Sequence, residues 1–364
     1  MKLKTLLLIA FCQFLYVDKT VAQATPLDSV TLATRKDSTI SFFGTPLVFY
    51  TPDTRWGLGA AGIMTFPTRP RRSNLTFNIS YTQNKQILIS FPFQWLSHKN
   101  RFRFYGEVGW YYYLNRYFGI GNNYRNDYSE TFTAKYPRLR FTAANRVKGK
   151  NMLGLRYFLD GYTIVSASPH GEIEQGKLTG AKGGISSAIG PVWISDSRDN
   201  SFFPTSGWLT ELAITAEHRY TGSNFEFIRC SIDMARYFSF GKSVLAINGI
   251  GIFTVGDVPF FQLPQIGGPR RLRGYPDGKF RDRHLILAQA EIRFPLFWRF
   301  KGVVFAGGGA VFGNVGEIAK FRPNAGAGLR FEFDQRQKIH LRLDYGIGEG
   351  KGNSGIYVTL GEAF

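Results

Sequence analysis

"KIHLRLDYGI", Lys338–Ile347, alternates without a break. Ile339, Leu341, Leu343, Tyr345 and Ile347 fall on one side of an extended chain, and Lys338, His340, Arg342 and Asp344 on the other. A period of two marks a strand with one apolar and one polar face. The same phase runs through "NLTFNISYT" (74–82), "QILISFPFQW" (86–95) and "GLRFEFD" (328–334). A soluble sandwich would alternate in the same way, with its polar face toward water. Three features favour a membrane barrel instead. The alternating stretches are often about 10–15 residues long, against the ~5–6 usual in soluble sheets. Aromatic residues stand at their ends, as in Trp95, Trp110–Tyr113 and Phe297–Trp298, like the girdles of membrane barrels. Short connections ("SHKN", "KGKN", "SFGK", "DQRQ") alternate with long ones (114–130, 167–181, 256–283), as periplasmic turns alternate with external loops.

The pattern predicts strands at roughly 42–51, 56–66, 73–83, 86–96, 101–113, 131–147, 150–166, 183–196, 207–220, 224–238, 241–255, 283–297, 301–313, 323–335, 337–347 and 355–364. The fold expected is all-β: a transmembrane antiparallel β-barrel of about 16 strands over residues 41–364. The first strand carries Pro46, which removes one backbone donor. An even count puts both ends of the barrel on the same side.

Composition agrees with this class. Aromatics make up 16%, yet hydrophobicity is only 44%. No stretch after residue 20 approaches the ~20 apolar residues of a spanning helix. Lys2, Lys4, the apolar run Leu6–Tyr16 and the small residues of "TVAQA" (Thr20–Ala24) read as a signal peptide over residues 1–24. An amphipathic helix is the alternative for that stretch. Residues 25–40 read as a short flexible periplasmic lead. Cleavage would leave Cys230 as the single cysteine, with no internal disulfide.

The net charge is +19. Behind a signal peptide this points to outer-membrane lipid and lipopolysaccharide or to a wet charged lumen. RNA-binding signatures are absent, so no nucleic-acid partner is expected. The five histidines (98, 170, 218, 284, 340) have no metal-ligand spacing, and no Gly-x-Ser-x-Gly elbow occurs. No catalytic residue, cofactor or metal is expected, and the chain does not read as an enzyme.

One long connection stands apart. "GGPRRLRGYPDGKFRDRH" (Gly267–His284) is basic and rich in Gly and Pro. Its "LRGY", Leu272, Arg273, Gly274 and Tyr275, precedes the strand "LAQAEIRFP" (Leu287–Pro295). This resembles the BamA/TamA superfamily, the bacterial surface antigen family, with Leu in place of Val in the Val-Arg-Gly-Phe/Tyr tip. The resemblance implies a loop folded into the barrel lumen, its Arg docked on acidic residues of the inner wall. Gln289, Glu291 and Arg293 share the inward phase, so Glu291 is the expected partner of Arg273. The family's further Asp is replaced by Gly307 in "VFAGGGAVF" (Val304–Phe312), one acidic partner fewer. The alternative is a solvated basic loop.

"GPVWISDSRDNSFFPTSGW" (Gly190–Trp208) resembles the family's Asp-x-Arg-Asp…Pro-x-x-Gly pattern at a periplasmic turn, through Asp196, Arg198, Asp199, Pro204 and Gly207. A pair of catalytic carboxylates is the other reading of this stretch. The ending "GIYVTLGEAF" resembles the outer-membrane insertion signal, carried by Tyr357, Leu360 and Phe364; a plain interfacial anchor is the alternative for Phe364. "YFGIGNN" (Tyr117–Asn123) looks like the family's third external loop. The lead is too short for a POTRA module of roughly 75–80 residues, so the resemblance is to the family without POTRA domains. It implies assistance to the insertion, assembly or translocation of outer-membrane proteins, with client proteins or assembly-machine subunits as partners. A passive pore or structural barrel is the alternative.

Overall fold

The computed structural model describes residues 40–51, 55–67, 73–122, 128–317, 320–335 and 338–364. The expected signal peptide (1–24) and all of the lead (25–40) except Ile40 lie outside the described residues. The first eight strands are β1 Ser41–Thr51, β2 Arg55–Phe66, β3 Ser73–Thr82, β4 Ile87–Leu96, β5 Phe102–Tyr117, β6 Glu130–Lys148, β7 Asn151–Ala167 and β8 Gly184–Asp196. The chain continues through β9 Gly207–Glu217, β10 Phe227–Phe240 and β11 Ser243–Gly256 to a two-residue pair, β12 Gln265–Ile266 and β13 Phe280–Arg281. It returns to the wall with β14 His284–Pro295, β15 Phe300–Phe312, β16 Arg322–Asp334, β17 Ile339–Gly348 and β18 Ser354–Leu360. Sixteen strands form one antiparallel sheet in the order β1 to β11, then β14 to β18. β12 and β13 pair with each other, apart from that sheet.

The sheet is inside-out relative to a soluble protein. Arg330, Arg342 and Asp344 are at most 1% exposed, whereas Tyr345, Ile347, Ile356 and Val358 are 48–68% exposed. Polar residues face an interior and apolar ones face outward, which is the solution for a sheet solvated by lipid. The sheet closes into a transmembrane β-barrel. Phe43 on β1 stacks at 4.1 Å on Phe333 of β16, two strands before the last, bringing the first strand against the closing hairpins. β1 runs straight through Pro46, which lies opposite Ala60. A missing donor is tolerated there because β1 is an end strand of the hydrogen-bonded order.

Two boundaries differ from the expectation by four residues. β5 continues to Tyr117, so Trp110 lies in mid-strand rather than at an end. The girdle at the rim of short turns is built instead by Trp95, Trp208, Phe297 and Trp298, 39–75% exposed. The last strand stops at Leu360, four residues before the end of the expected 355–364 span.

The connection 257–283 occupies the lumen. Its first segment is held by a ladder of near-parallel rings: Tyr111 on Tyr136, Tyr136 on Tyr162, and Tyr162 on Phe261 at 4.0 Å. Each stacked pair contributes about 0.5–1.5 kcal/mol beyond its burial. Phe260 packs edge-on against Tyr117 and Phe132, and its N–H bonds the Thr179 carbonyl of the β7–β8 connection at 2.9 Å. The loop is therefore packed against the inner wall.

Lys177 and Lys150 are both exposed, at opposite rims of the barrel. In a Cys230→Ser background, a membrane-impermeant maleimide should label Lys177→Cys on intact cells and Lys150→Cys only after the envelope is opened. Equal labelling of the two would contradict this orientation.

Candidate functional site

The luminal loop descends to a tip at Leu272–Tyr275. Arg273 is 0% exposed. One arm of its guanidinium donates to Glu291 Oε2 at 2.9 Å and the other to Asp344 Oδ2 at 2.5 Å. The plane lies 3.5 Å over the ring of Phe305. Inward phase places these groups: Glu291 on β14 is opposite Ala246 and Phe305, and Asp344 on β17 is opposite Gly328 and Tyr357. A buried charge is tolerated only when paired and hydrogen-bonded. Here the pairing extends outward. Glu291 also accepts from Arg293 at 2.6 and 2.8 Å. Asp344 accepts from Arg330 at 2.5 Å, and Arg330 reaches Glu362 at 2.8 Å. Arg342 donates to the Pro269 carbonyl at 3.1 Å.

The tip approaches the wall more closely than side chains allow. A Cβ on Gly274 (φ +115°) would lie 2.5 Å from the Ile347 carbonyl carbon, and one on Gly346 would lie 2.7 Å from Arg273 backbone. Tyr275 is fully buried; its hydroxyl donates to the Pro323 carbonyl at 2.6 Å and accepts from Glu349 N–H at 2.8 Å. The Tyr357 hydroxyl accepts from Gly274 N–H at 2.9 Å. Leu272 holds φ +63° and sits at 0% exposure among Ile252, Ile266, Leu285 and Leu287. Burying a Leu stabilises by about 1.5–3 kcal/mol, and a bulky residue at such a φ costs about 1–3 kcal/mol. Those terms nearly cancel, so Arg273 and Tyr275 hold the tip.

Asp344 was not expected as a partner. Its inward phase was visible in "KIHLRLDYGI", but its position across from the loop was not. Gly307 cannot take the acidic role: a Cβ there would meet the Ala288 carbonyl at 2.7 Å. Asp344 fills the second acidic place from a different strand.

The turn residues lie at the other rim. The Asp196 carboxylate accepts three hydrogen bonds from Arg198 at 3.0–3.1 Å and one from Arg103 at 3.3 Å. Asp199 accepts from Thr205 and Ser206, and Gly207 opens β9. Partial burial alone would raise the Asp199 carboxyl, but the Thr205 and Ser206 hydrogen bonds outweigh it and hold the carboxyl below the usual range. The Pro204 carbonyl accepts from Arg293 at 3.4 Å, and Phe203 lies beneath the same guanidinium, 5.2 Å from its ring centre. The turn therefore folds against the lumen.

The C-terminal residues correct an expectation. Ile356 and Val358 face outward, but Tyr357 faces the loop tip. Beyond Leu360 the chain bends at Gly361 (φ +78°), which bonds the His340 carbonyl. Glu362 then meets Arg330, and Phe364 packs beside Ala235, Tyr237, Val244 and Ala246. The left-handed bend and the Glu362–Arg330 pair draw Phe364 inward, away from the interfacial position of a plain anchor. Arg293 also donates to Phe364 O at 3.2 Å. Loop tip, turn and C-terminal segment, three separate motifs in the sequence, meet at Glu291 and Arg293.

Tyr117 and Phe118 are buried, and Gly121 N–H bonds the Arg281 carbonyl at 2.7 Å, closing the β5–β6 connection over the loop; Asn123 lies outside the described residues. Among the described residues no group of three or more His, Cys, Asp or Glu is placed to hold a metal.

These features define a membrane-spanning antiparallel barrel whose lumen is filled by its own arginine-tipped loop. The Omp85 superfamily domain matches residues 57–364, and the chain belongs to that superfamily. Its fold is similar to that of BamA from Haemophilus ducreyi lacking POTRA domains 1-3, at a TM-score of 0.56 and 17% identity over 88% of this chain and 69% of that one. CdiB from Escherichia coli is similar at a TM-score of 0.58 and 10% identity, over 88% of this chain and 62% of that one. CdiB from Acinetobacter baumannii is similar at 0.56 and 10%, over 88% and 59%. None of the curated proteins matches this chain.

Replacing Arg273 by Ala takes one cation from each of two buried carboxylates, which keep Arg293 and Arg330. Each hydrogen bond to a charged group that is lost contributes about 1.5–3 kcal/mol. Arg273→Ala should therefore lower the temperature at which the barrel loses its heat-modifiable gel mobility, and Arg273→Lys should fall between. Unchanged mobility in Arg273→Ala would refute a stabilising lock. For the turn, Asp199 lies below its unfolded value, so its stabilisation is present at neutral pH and is lost as pH falls below about 4. Thr205→Val should raise the Asp199 pKa, measured by carboxyl-labelled NMR titration.

Proposed function

We propose that this chain resides in the bacterial outer membrane, in contact with outer-membrane lipid and lipopolysaccharide, and assists the insertion, assembly or translocation of other outer-membrane proteins. Client barrels or assembly subunits are its partners, and the role is non-enzymatic. The observation that carries this reading is how firmly one side of the seam is braced. Wall partners of the tip's polar groups come from the last strands: Glu291 on β14, Pro323 and Asn324 on β16, Asp344 on β17 and Tyr357 on β18. Those strands are tied into one body by buried ion pairs. Across the seam, Phe43 meets that body by ring stacking on Phe333, an interaction worth about 1 kcal/mol. A side braced by buried ion pairs, set against a first strand that carries Pro46, favours opening between them, where a client strand has unpaired backbone to join.

Depletion of the chain followed by quantitative proteomics of the outer membrane tests the reading. Loss of a defined set of other barrels is the expected result. An unchanged proteome with altered solute uptake would assign a passive pore instead.

A further inference from the structure

Apart from the Arg273 lock, the lumen holds a cavity of about 380 Å³ between β5–β7, β10 and the descending loop. Arg138, Arg140, Arg229, Arg271 and Arg281 line it, and Arg116 adds to the lining. Five carboxylates stand near them, Glu107 beside Arg138 and Asp233 beside Arg271 among them. Asp160 is shared by Arg138 and Arg140 and also accepts from Gln262 at 3.1 Å. Asp277 lies on the lining, and Glu217 neighbours Arg229. Five or six cations against five anions leave at most one positive charge in excess, gathered in one confined space. The buried Nε atoms of Arg140 and Arg229 have no hydrogen-bond acceptor among the described residues. Arg138 and Arg140 keep 18% and 30% of their side-chain surface, so the cavity is wetted rather than sealed.

Like charges held together in a lumen repel unless an anion joins them. Guanidinium forks arriving from several directions need several acceptors at once. A tetrahedral oxyanion offers three oxygens and up to two charges, which a single carboxylate does not. Tyr136, Tyr162 and Phe261 form a ringed wall beside the arginines, where a sugar or apolar body attached to the anion would rest. We propose that this cavity is a binding site for a phosphate- or sulfate-class dianion, carried either by a small soluble ester or by a lipid headgroup. The site is independent of the assembly role.

The full chain in uncharged detergent micelles, at fixed ionic strength, would be titrated calorimetrically with inorganic pyrophosphate. A parallel titration would use short-chain phosphatidic acid in mixed micelles. One saturable site is expected in at least one arm. Arg138→Gln with Arg229→Gln should weaken it at least tenfold, and the exposed Arg219→Gln should leave it unchanged. Binding in the pyrophosphate arm assigns a soluble ester; binding of phosphatidic acid alone assigns a headgroup. Heat-modifiable mobility verifies that the double variant forms its barrel, and Arg271→Gln, on the loop, serves where it does not. No saturable heat in either arm, or binding indifferent to these substitutions, overturns the proposal.

Discussion

Glu291 is one carboxylate held between two guanidinium groups in a wall that admits no water to it. Arg273 comes to it from the loop and Arg293 from its own strand. Both arginines are buried against it, Arg273 shared with Asp344, and through them the loop tip and the turn are drawn to one carboxylate. The rest of the interior is arranged around this need to match charges out of solvent. Arg330, Asp344 and Glu362 extend the same alternation of sign until it reaches the end of the chain. An interior of this kind differs from an apolar core in what it specifies. Apolar side chains accept many packings, whereas a chain of forked donors and carboxylates accepts few.

Much of the wall was legible in the sequence because a strand's period of two is a local property. Every expected strand has its counterpart, and the phase that puts Glu291 and Asp344 inward can be read directly from "LAQAEIRFP" and "KIHLRLDYGI". What phase does not encode is which inward residues meet across the lumen. That depends on how deep the loop descends and on barrel curvature, so Asp344 could be known to face inward without being known as the partner of Arg273. The extent of the last strand was misjudged for another reason. "GEAF" is too short for its alternation to be tested, and one left-handed glycine redirects it. Trp110 was misplaced because β5 runs four residues past its apparent aromatic end.

The interior also departs from the usual division between scaffold and loop. The turn at Asp196–Gly207, the loop tip and the C-terminal segment are all irregular backbone, the material that elsewhere lies on a surface. Here they are enclosed, and their exposed backbone groups are met by side chains: Arg293 on the Pro204 and Phe364 oxygens, Asn324 on the Arg273 carbonyl, Tyr357 on the Gly274 amide. Irregular chain is tolerated at membrane depth only where protein or luminal water satisfies it.

The lock has a consequence for the order in which the chain is built. Arg273 meets Glu291 18 residues later, but Tyr275 finds the Pro323 carbonyl 48 residues on, Arg273 finds Asp344 71 residues on, and Gly274 finds Tyr357 83 residues on. Most of the contacts that seat the tip do not exist until the last hairpins have been added. Contacts of such separation are slow, because loop closure is costly before anything rewards it. The loop must therefore enter the growing barrel unset, carrying a half-paired arginine, and seat itself only as β16 to β18 arrive. Completion of the wall and seating of the tip are one event, and a chain that loses its last hairpin loses the Asp344 and Tyr357 contacts that seat it.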